Sequence, residues 1–288
     1  TFAFEQVGTN CGLIGKNACV EVDGAAYWMS EHGFFRFAGR LESLPCLVED
    51  FVYDSINLSS GNQMVSAGLN NLYGEVIWFY PETGSSVVNR QVTYNYFDSS
   101  PQRPVWTVGS LARTMWKDSA IFGLPHATEY DASTDTSFDV IGNTEGRTSY
   151  YEHETGTDQN RNGTITAITS NIESGDFDIT QARSSSTGQQ TGVATFKGDG
   201  EFLMKIKRFV PDFISQTGTT RVTLQLKNYP NSTQTSSPLG PFDITSSTTK
   251  VDTRARARAI SLKVENTGTS QSWRLGTFRL DTQPDGRR

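Results

Sequence analysis

Gln91-Val92-Thr93-Tyr94-Asn95-Tyr96 alternates polar and apolar residues without a break, every apolar side chain falling at an even position. Successive side chains on an extended chain point to opposite faces, so a period of two predicts a β-strand with one buried face. Arg221-Val222-Thr223-Leu224-Gln225-Leu226 repeats the pattern, and Glu201-Phe202-Leu203-Met204-Lys205-Ile206-Lys207 follows it less regularly. No convincing long stretch carries the three-to-four-residue apolar spacing of an amphipathic helix. The sequence therefore predicts an all-β protein.

Turn chemistry separates these runs. Asp23-Gly24, Asn162-Gly163 and Asp199-Gly200 tolerate positive φ and favour tight hairpins. Pro45, Pro81, Pro125, Pro211 and Pro230 lie near the ends of apolar runs, where a missing N–H costs little. In Trp273-Arg274-Leu275-Gly276-Thr277-Phe278-Arg279-Leu280 the apolar parity switches after Gly276, which predicts a β-bulge there. Ser184–Gly192 and Asn231–Pro238 lack apolar anchors and are expected to be exposed loops.

The first 130 residues are weakly repetitive. Ala25-Ala26-Tyr27-Trp28-Met29 resembles Glu75-Val76-Ile77-Trp78-Phe79-Tyr80, with Trp28 and Trp78 50 residues apart. Met64-Val65-Ser66-Ala67 and Met115-Trp116-Lys117-Asp118 lie 51 apart. A strand-rich unit of about 40–50 residues is the size of a propeller blade. Of the 32 aromatic residues, 20 fall within residues 1–130, and large flat side chains pack blade against blade. An ordinary β-sandwich also needs such aromatics, and both architectures remain open on pattern alone. The expected organisation is β-propeller-like blades over 1–135, followed by an additional antiparallel β-sheet domain over 136–288. The boundary is placed in the polar run Asp131-Ala132-Ser133-Thr134-Asp135-Thr136.

The chain has 288 residues, 19% of them charged, and a net charge of −6, which does not suit a generic nucleic-acid binder. The charge is uneven. Residues 1–196 hold 10 basic against 23 acidic residues, and residues 197–288 hold 15 against 8. Cys11, Cys19 and Cys46 show no metal spacing and are expected to be free, mostly buried thiols of a chain folded in a reducing cytoplasm. No apolar run approaches the ~20 residues of a membrane-spanning helix, and no basic start followed by an apolar stretch marks a signal peptide. A chain opening on Thr1 rather than Met is expected to be processed or to be a portion of a longer product.

Candidate chemistry is sparse. His32, His126 and His153 sit in unrelated contexts, and neither HExxH nor GxSxG occurs. Glu152 and Glu154 would share a strand face, as paired glycosidase carboxylates must share a site, although a solvated acidic hairpin face satisfies the same pattern. Asp158-Gln159-Asn160-Arg161-Asn162-Gly163 matches the first half of a calcium loop, with Asp158, Asn160 and Asn162 as oxygen donors. Its twelfth position is Thr169 rather than a bidentate Glu, and a hairpin turn is the competing reading. No cofactor is implied. In Arg254-Ala255-Arg256-Ala257-Arg258-Ala259-Ile260-Ser261-Leu262-Lys263-Val264 three arginines share one strand face that becomes apolar at Ile260. Such a ladder protects an exposed edge strand, pairs with carboxylates of a neighbouring subunit, or grips phosphates.

Several segments together resemble a known family. They are Val22–Met29 followed by Gly33-Phe34-Phe35-Arg36-Phe37, then Glu75–Pro81, then Trp106-Thr107-Val108-Gly109-Ser110-Leu111-Ala112-Arg113-Thr114. Phe209-Val210-Pro211-Asp212-Phe213, Trp273-Arg274-Leu275-Gly276 and Asp285-Gly286-Arg287-Arg288 complete the order. This series is similar to the tail nozzle proteins of short-tailed bacteriophages, also called tail tubular protein B, and to the related packaged-DNA stabilisation proteins. The resemblance implies a propeller with further β-domains, assembled as a homohexameric ring in the virion tail after synthesis in the host cytoplasm. It implies a tail adaptor ring and tail fibres or spikes as partners, transient passage of double-stranded DNA, and no active site. Arg254, Arg256, Arg258 and Arg274 then become candidates for subunit-interface or DNA-facing positions. Family members are usually much longer, so a C-terminal portion or a reduced form is expected. The alternative expectation is a receptor- or glycan-binding β-propeller module using exposed Trp and Tyr.

Overall fold

The computed structural model describes residues 5–59, 62–119, 123–131, 147–161, 163–183, 190–195, 202–229 and 238–286. The protein is all-β, built from several antiparallel sheets with one short α-helix among the described residues. It divides into two compact units, Thr1–Thr155 and Gly156–Arg288.

The first unit opens with a four-stranded meander of β1 (Cys19–Val22), β2 (Ala25–Ser30), β3 (Gly33–Phe37) and β4 (Leu41–Leu44). Asp23 and Gly24 form the two-residue turn anticipated from their sequence. Their φ values of 50° and 80° match the right-handed twist of the flanking strands, and Val22 pairs with Ala25. The helix α1 (Glu49–Ser55) follows, turning Val52 into the core, and Ile56 just beyond its end is buried as well. After a 3-10 turn at Asn62–Met64 comes a second meander of β5 (Ser66–Asn70), β6 (Glu75–Tyr80), β7 (Arg90–Ser100) and β8 (Arg103–Gly109). A three-stranded sheet in the order β11-β10-β9 completes the unit, from β9 (Met115–Lys117), β10 (His126–Asp131) and β11 (Arg147–Glu152).

Four-stranded meanders have the strand order of propeller blades, and β2 and β6 begin 50 residues apart, as the Trp28–Trp78 spacing suggests. Among the described residues the sheets do not close into a ring or barrel. The meanders meet through aromatic rings. Phe34 of β3 lies 5.0 Å from Trp78 and 4.7 Å from Trp106, and Tyr27 lies 6.3 Å from Tyr94. Indole N–H groups satisfy themselves on distant backbone: Trp78 donates to Ala18 O at 3.0 Å and Trp106 to Pro45 O at 2.8 Å.

The second meander is covered on both faces. Val76, Trp78, Tyr80 and Val92 join the main core, whereas Ile77, Phe79 and Val88 face a smaller cluster with Leu111 and Trp116. Thr93, predicted to face solvent, is therefore buried. Trp116 lies directly over Gly68 of β5, and its Nε1 donates to Leu69 O at 2.9 Å. The boundary expected at 131–136 falls between β10 and β11, which pair from His126↔Glu152 to Asp131↔Arg147. Polar turn-forming residues join paired strands as readily as domains, and the division lies later, at Thr155/Gly156.

The second unit begins with the hairpin β12 (Asp158–Arg161) and β13 (Thr164–Ala167), followed by β14 (Ser170–Glu173) and the pair β15 (Thr180–Arg183) and β16 (Gln190–Thr195). Gln190–Gly192, expected to be loop, already belong to β16. Then come β17 (Met204–Val210), β18 (Phe213–Thr217), β19 (Thr220–Lys227), β20 (Leu239–Ile244), β21 (Val251–Ala257), β22 (Ala259–Asn266), β23 (Ser272–Leu275) and β24 (Arg279–Pro284). Two sheets, ordered β14-β22-β19-β20 and β21-β17-β24, enclose a core of Met204, Ile206, Phe209, Val222, Leu224 and Ile260. A two-stranded ribbon of β18 and β23 stands beside them in sequence.

In the second unit two runs of sequence pass from one sheet to another. At Arg258 the chain leaves the β21-β17-β24 sheet and enters the other. Gly276, expected to be a bulge within one strand, is a strand break between β23 and β24, which lie in different sheets. Its N–H donates to Asp212 O at 2.7 Å, and a Cβ there would stand 2.8 Å from that same oxygen. A change of apolar parity thus marks a change of sheet as well as a bulge.

Candidate functional site

β21 is an edge strand of its sheet. Thr253, Ala255 and Ala257 face the core, so Arg254 and Arg256 stand together on the outward face. Arg258 lies at the bend between β21 and β22, outside both strands. Arg274 lies on β23, opposite Ser215, in the separate ribbon, so the structure does not gather it with the other three.

The outward face is a charge lattice. Arg256 reaches across the central strand β17 to Asp285, its Nε 2.8 Å from Oδ2 and its Nη2 donating to the backbone carbonyl at 2.9 Å. Arg208 of β17 lies 3.7 Å from Asp252 and 3.4 Å from Asp281. Arg254 makes no ion pair among the described residues. Exposed pairs of this kind contribute about 0–1 kcal/mol each, so they order the surface more than they stabilise it. Charge along β21 also discourages indiscriminate pairing of an open edge.

Beside this lattice, Arg256 and Arg258 line a shallow groove of about 320 Å³ with Leu203, Asn228 and Tyr229. Tyr229, just beyond β19, is 72% exposed. Two guanidinium groups, an amide and a phenol, with Leu203 as the one aliphatic neighbour, make a mainly polar lining that suits an oxyanion. Sequence reading isolated the arginines. Asn228 and Tyr229 escaped it because they come near Arg256 only through the pairing of β19 with β22 and the bend at Arg258.

The calcium reading of 158–163 meets a different geometry. Asp158 accepts from Ser270 N with both oxygens, at 2.8 and 2.9 Å, and Asn160 Oδ1 accepts from Gly163 N at 2.9 Å. These bonds build the β12–β13 hairpin turn and anchor it, rather than aiming the oxygens at one point. Asn162 lies outside the described residues. Among the described residues no three His, Cys, Asp or Glu side chains converge as metal ligands.

Two polar clusters in the first unit had no sequence signal. Arg113 is 5% exposed; its Nε donates to His153 Nε2 at 2.9 Å and its Nη1 to Glu129 at 3.1 Å. Its guanidinium stacks 4.1 Å from the Tyr151 ring centroid. Burial first, and then the Arg113 charge, push His153 down to about 4, so the imidazole is neutral and accepts the guanidinium N–H. In the second cluster, Asn70 Nδ2 donates to Glu154 at 3.1 Å and lies 3.5 Å from Glu75. Burial and the Glu154 charge raise Glu75 to about 6. Glu154, expected to share a strand face with Glu152, lies beyond the end of β11 with φ of 61° and turns to Glu75 instead.

All three cysteines are free, but none is fully buried, and Cys19 is exposed. Partial burial nonetheless pushes the Cys46 thiol up to about 12. No described helix is long and apolar enough to cross a membrane. The fold defines an all-β protein of two antiparallel units. Compared with known proteins, the chain matches no family model and no curated protein.

Proposed function

We propose that this chain is a structural subunit of a short-tailed phage tail, of the nozzle type, forming a ring through which double-stranded DNA is retained and then conducted. The observation that carries the reading is the separation of charge between the two units. Residues 1–155 hold 8 basic against 19 acidic residues, and residues 156–288 hold 17 against 12. A conduit must not grip its cargo, because every neutralised phosphate adds affinity and slows sliding. An acidic unit lining the path repels the phosphates, while a basic unit is available for contact between copies. Support also comes from the ordered family-like motifs, whose aromatic residues Phe34, Trp78 and Trp106 form the packed centre of the first unit.

The test is assembly. The protein, alone and with the adaptor ring of the same phage, is measured by light scattering and imaged by negative-stain electron microscopy. Rings of about six copies with an open centre are expected, in keeping with closed heterologous symmetry. A species that stays monomeric with and without the adaptor, at every concentration up to the solubility limit, overturns the proposal.

A further inference from the structure

We propose that Glu154 is a charge-released latch on the segment joining the two units: Asn70 holds it while Glu75 is neutral, and the charge of ionised Glu75 expels it. The latch lies wholly within the first unit and is independent of the ring reading.

The joining segment is fixed at its two ends. Before it, His153 N donates to Pro125 O at 2.8 Å, and the His153 ring accepts from Arg113. After it, Asp158 accepts from Ser270 N with both carboxylate oxygens. Between these ties Thr155, Gly156 and Thr157 are exposed and make no hydrogen bond among the described residues. Glu154 has a left-handed backbone, φ 61°, which a residue other than glycine keeps only where its surroundings hold it. The hold is Asn70 Nδ2, which donates to Glu154 Oε1 at 3.1 Å.

The receiving side is rigid. Asn70 of β5 and Glu75 of β6 pair directly across their hairpin, and Asn70 is 1% exposed. The turn between them is tied to β7, where Tyr96 N donates to Gly74 O at 2.7 Å and Asn95 Nδ2 to Tyr73 O at 3.1 Å. The Phe97 ring covers Gly74 and leaves no room for a Cβ. Asn70 and Glu75 are therefore fixed in place, and exposed Glu154 is the member free to leave.

The contact is short of positive charge. Asn70 Nδ2 also lies 3.5 Å from Glu75 Oε2, so one amide serves two carboxylates. The titratable groups facing the pair are Glu154, Glu75 and Tyr73, while Asn70 from β5 and Asn95 from β7 are uncharged. Asp118, after β9, accepts from Asn71 N at 3.3 Å and brings a further carboxylate to the same turn. Neither Glu75 nor Glu154 makes an ion pair with a basic residue among the described residues. Burial first, and then the Glu154 charge, raise Glu75 to about 6, so it is neutral at pH 5 and charged at pH 7.5. A group raised in this way supports the closed contact at low pH, and the support is lost as pH rises through about 6. His153, pushed down to about 4, stays neutral across the same range.

A glutamate-specific endoproteinase reads the latch, because it must take up the free Glu154 side chain to cut the bond to Thr155. Cleavage of the folded full-length chain at that bond, identified by mass spectrometry, is measured at pH 5 and pH 7.5. Each rate is divided by that of a free peptide of residues 150–159 at the same pH. In the wild type the normalised rate should rise about fivefold from pH 5 to pH 7.5, a figure discounted for partial exposure. Glu75→Gln should be cut slowly at both pH values, and Asn70→Ala, which lacks the holding amide, quickly at both. Near-UV circular dichroism checks the fold of Asn70→Ala; if that variant misfolds, Glu75→Gln decides alone. A wild-type rate that does not change with pH overturns the latch. So does a Glu75→Gln protein that keeps the wild-type pH dependence, which would assign the change to another group such as His126, or one that is cut quickly at both pH values.

Discussion

Gly68→Ala inserts one methyl group at a tightly packed point of the first unit. The new Cβ would stand 2.7 Å from Trp116 Cδ1 and Cγ and 2.8 Å from its Cβ, whereas ordinary contact begins at 3.4 Å. The indole must therefore retreat by roughly 0.7 Å. It has nowhere easy to go. Phe79 stacks on it at 5.9 Å, His153 lies 4.6 Å away, and Nε1 is bonded to Leu69 O at 2.9 Å. Overpacking of this kind costs about 1–3 kcal/mol, and weakening the indole hydrogen bond adds about 1 kcal/mol. Against this, alanine restricts the unfolded chain and prefers the strand, a gain of about 0.4–1 kcal/mol. The net expectation is a loss of about 2 kcal/mol, which lowers the Tm of a unit this size by about 4–8 °C. Urea unfolding followed by tryptophan fluorescence measures it, as a lower midpoint at unchanged slope. In a Trp116→Leu background the same substitution should cost little, because the obstructing ring is gone. A Gly68→Ala protein as stable as wild type, or stabilised as chain entropy alone dictates, refutes the reasoning.

Other expectations follow from the polar clusters. Arg113→Leu leaves Glu129 half-buried without its cation and should cost about 3–5 kcal/mol in urea unfolding; Arg113→Lys should recover little, because an ammonium cannot serve His153, Glu129 and the Tyr151 face together. Glu75, raised to about 6, favours the folded state most at pH below its ordinary value, and that contribution is lost as pH rises through 6. Glu75→Gln should therefore stabilise the protein at pH 7.5 by about 1 kcal/mol, discounted for partial exposure, and have no such effect at pH 4. His153, lowered to about 4, acts in the opposite sense: its contribution is complete above its ordinary value and lost as pH falls toward 4. In the Glu75→Gln protein, a stability–pH profile should consequently rise between pH 4 and about 6.5. Asp158→Ala removes both acceptors of the Ser270 N–H and should cost about 1–2 kcal/mol, read as faster hydrogen exchange at that amide.

Strand positions were legible because side-chain alternation is a property of the local backbone alone. The runs at 91–96 and 221–226 lie in β7 and β19, and Asp23-Gly24 specifies its turn through two positive φ angles that need no distant partner. The 50-residue offset of β2 and β6 was legible for the same reason, as a repeated local pattern. Which strands share a sheet was not. Period-two alternation has no direction in it, so the run from Arg254 to Val264 looked like one strand and became two, in different sheets, at Arg258. Thr93 reads as exposed from its own parity, and only the cluster around Trp116 on the far side of the sheet buries it.

The chemistry divides likewise. Residue type determined that Arg256 is a cation on an outward strand face. Its engagement by Asp285, 29 residues on, depends on β24 pairing beside β17. Glu75 and Glu154 carry ordinary carboxyl groups in the sequence, and only tertiary packing brings them to one asparagine and makes one of them a weak acid. The sequence by itself determined the local conformational preferences and the balance of charge. Pairing, burial and the strength of each charge were decided by folding, because those depend on groups that meet only when distant strands close together and exclude water.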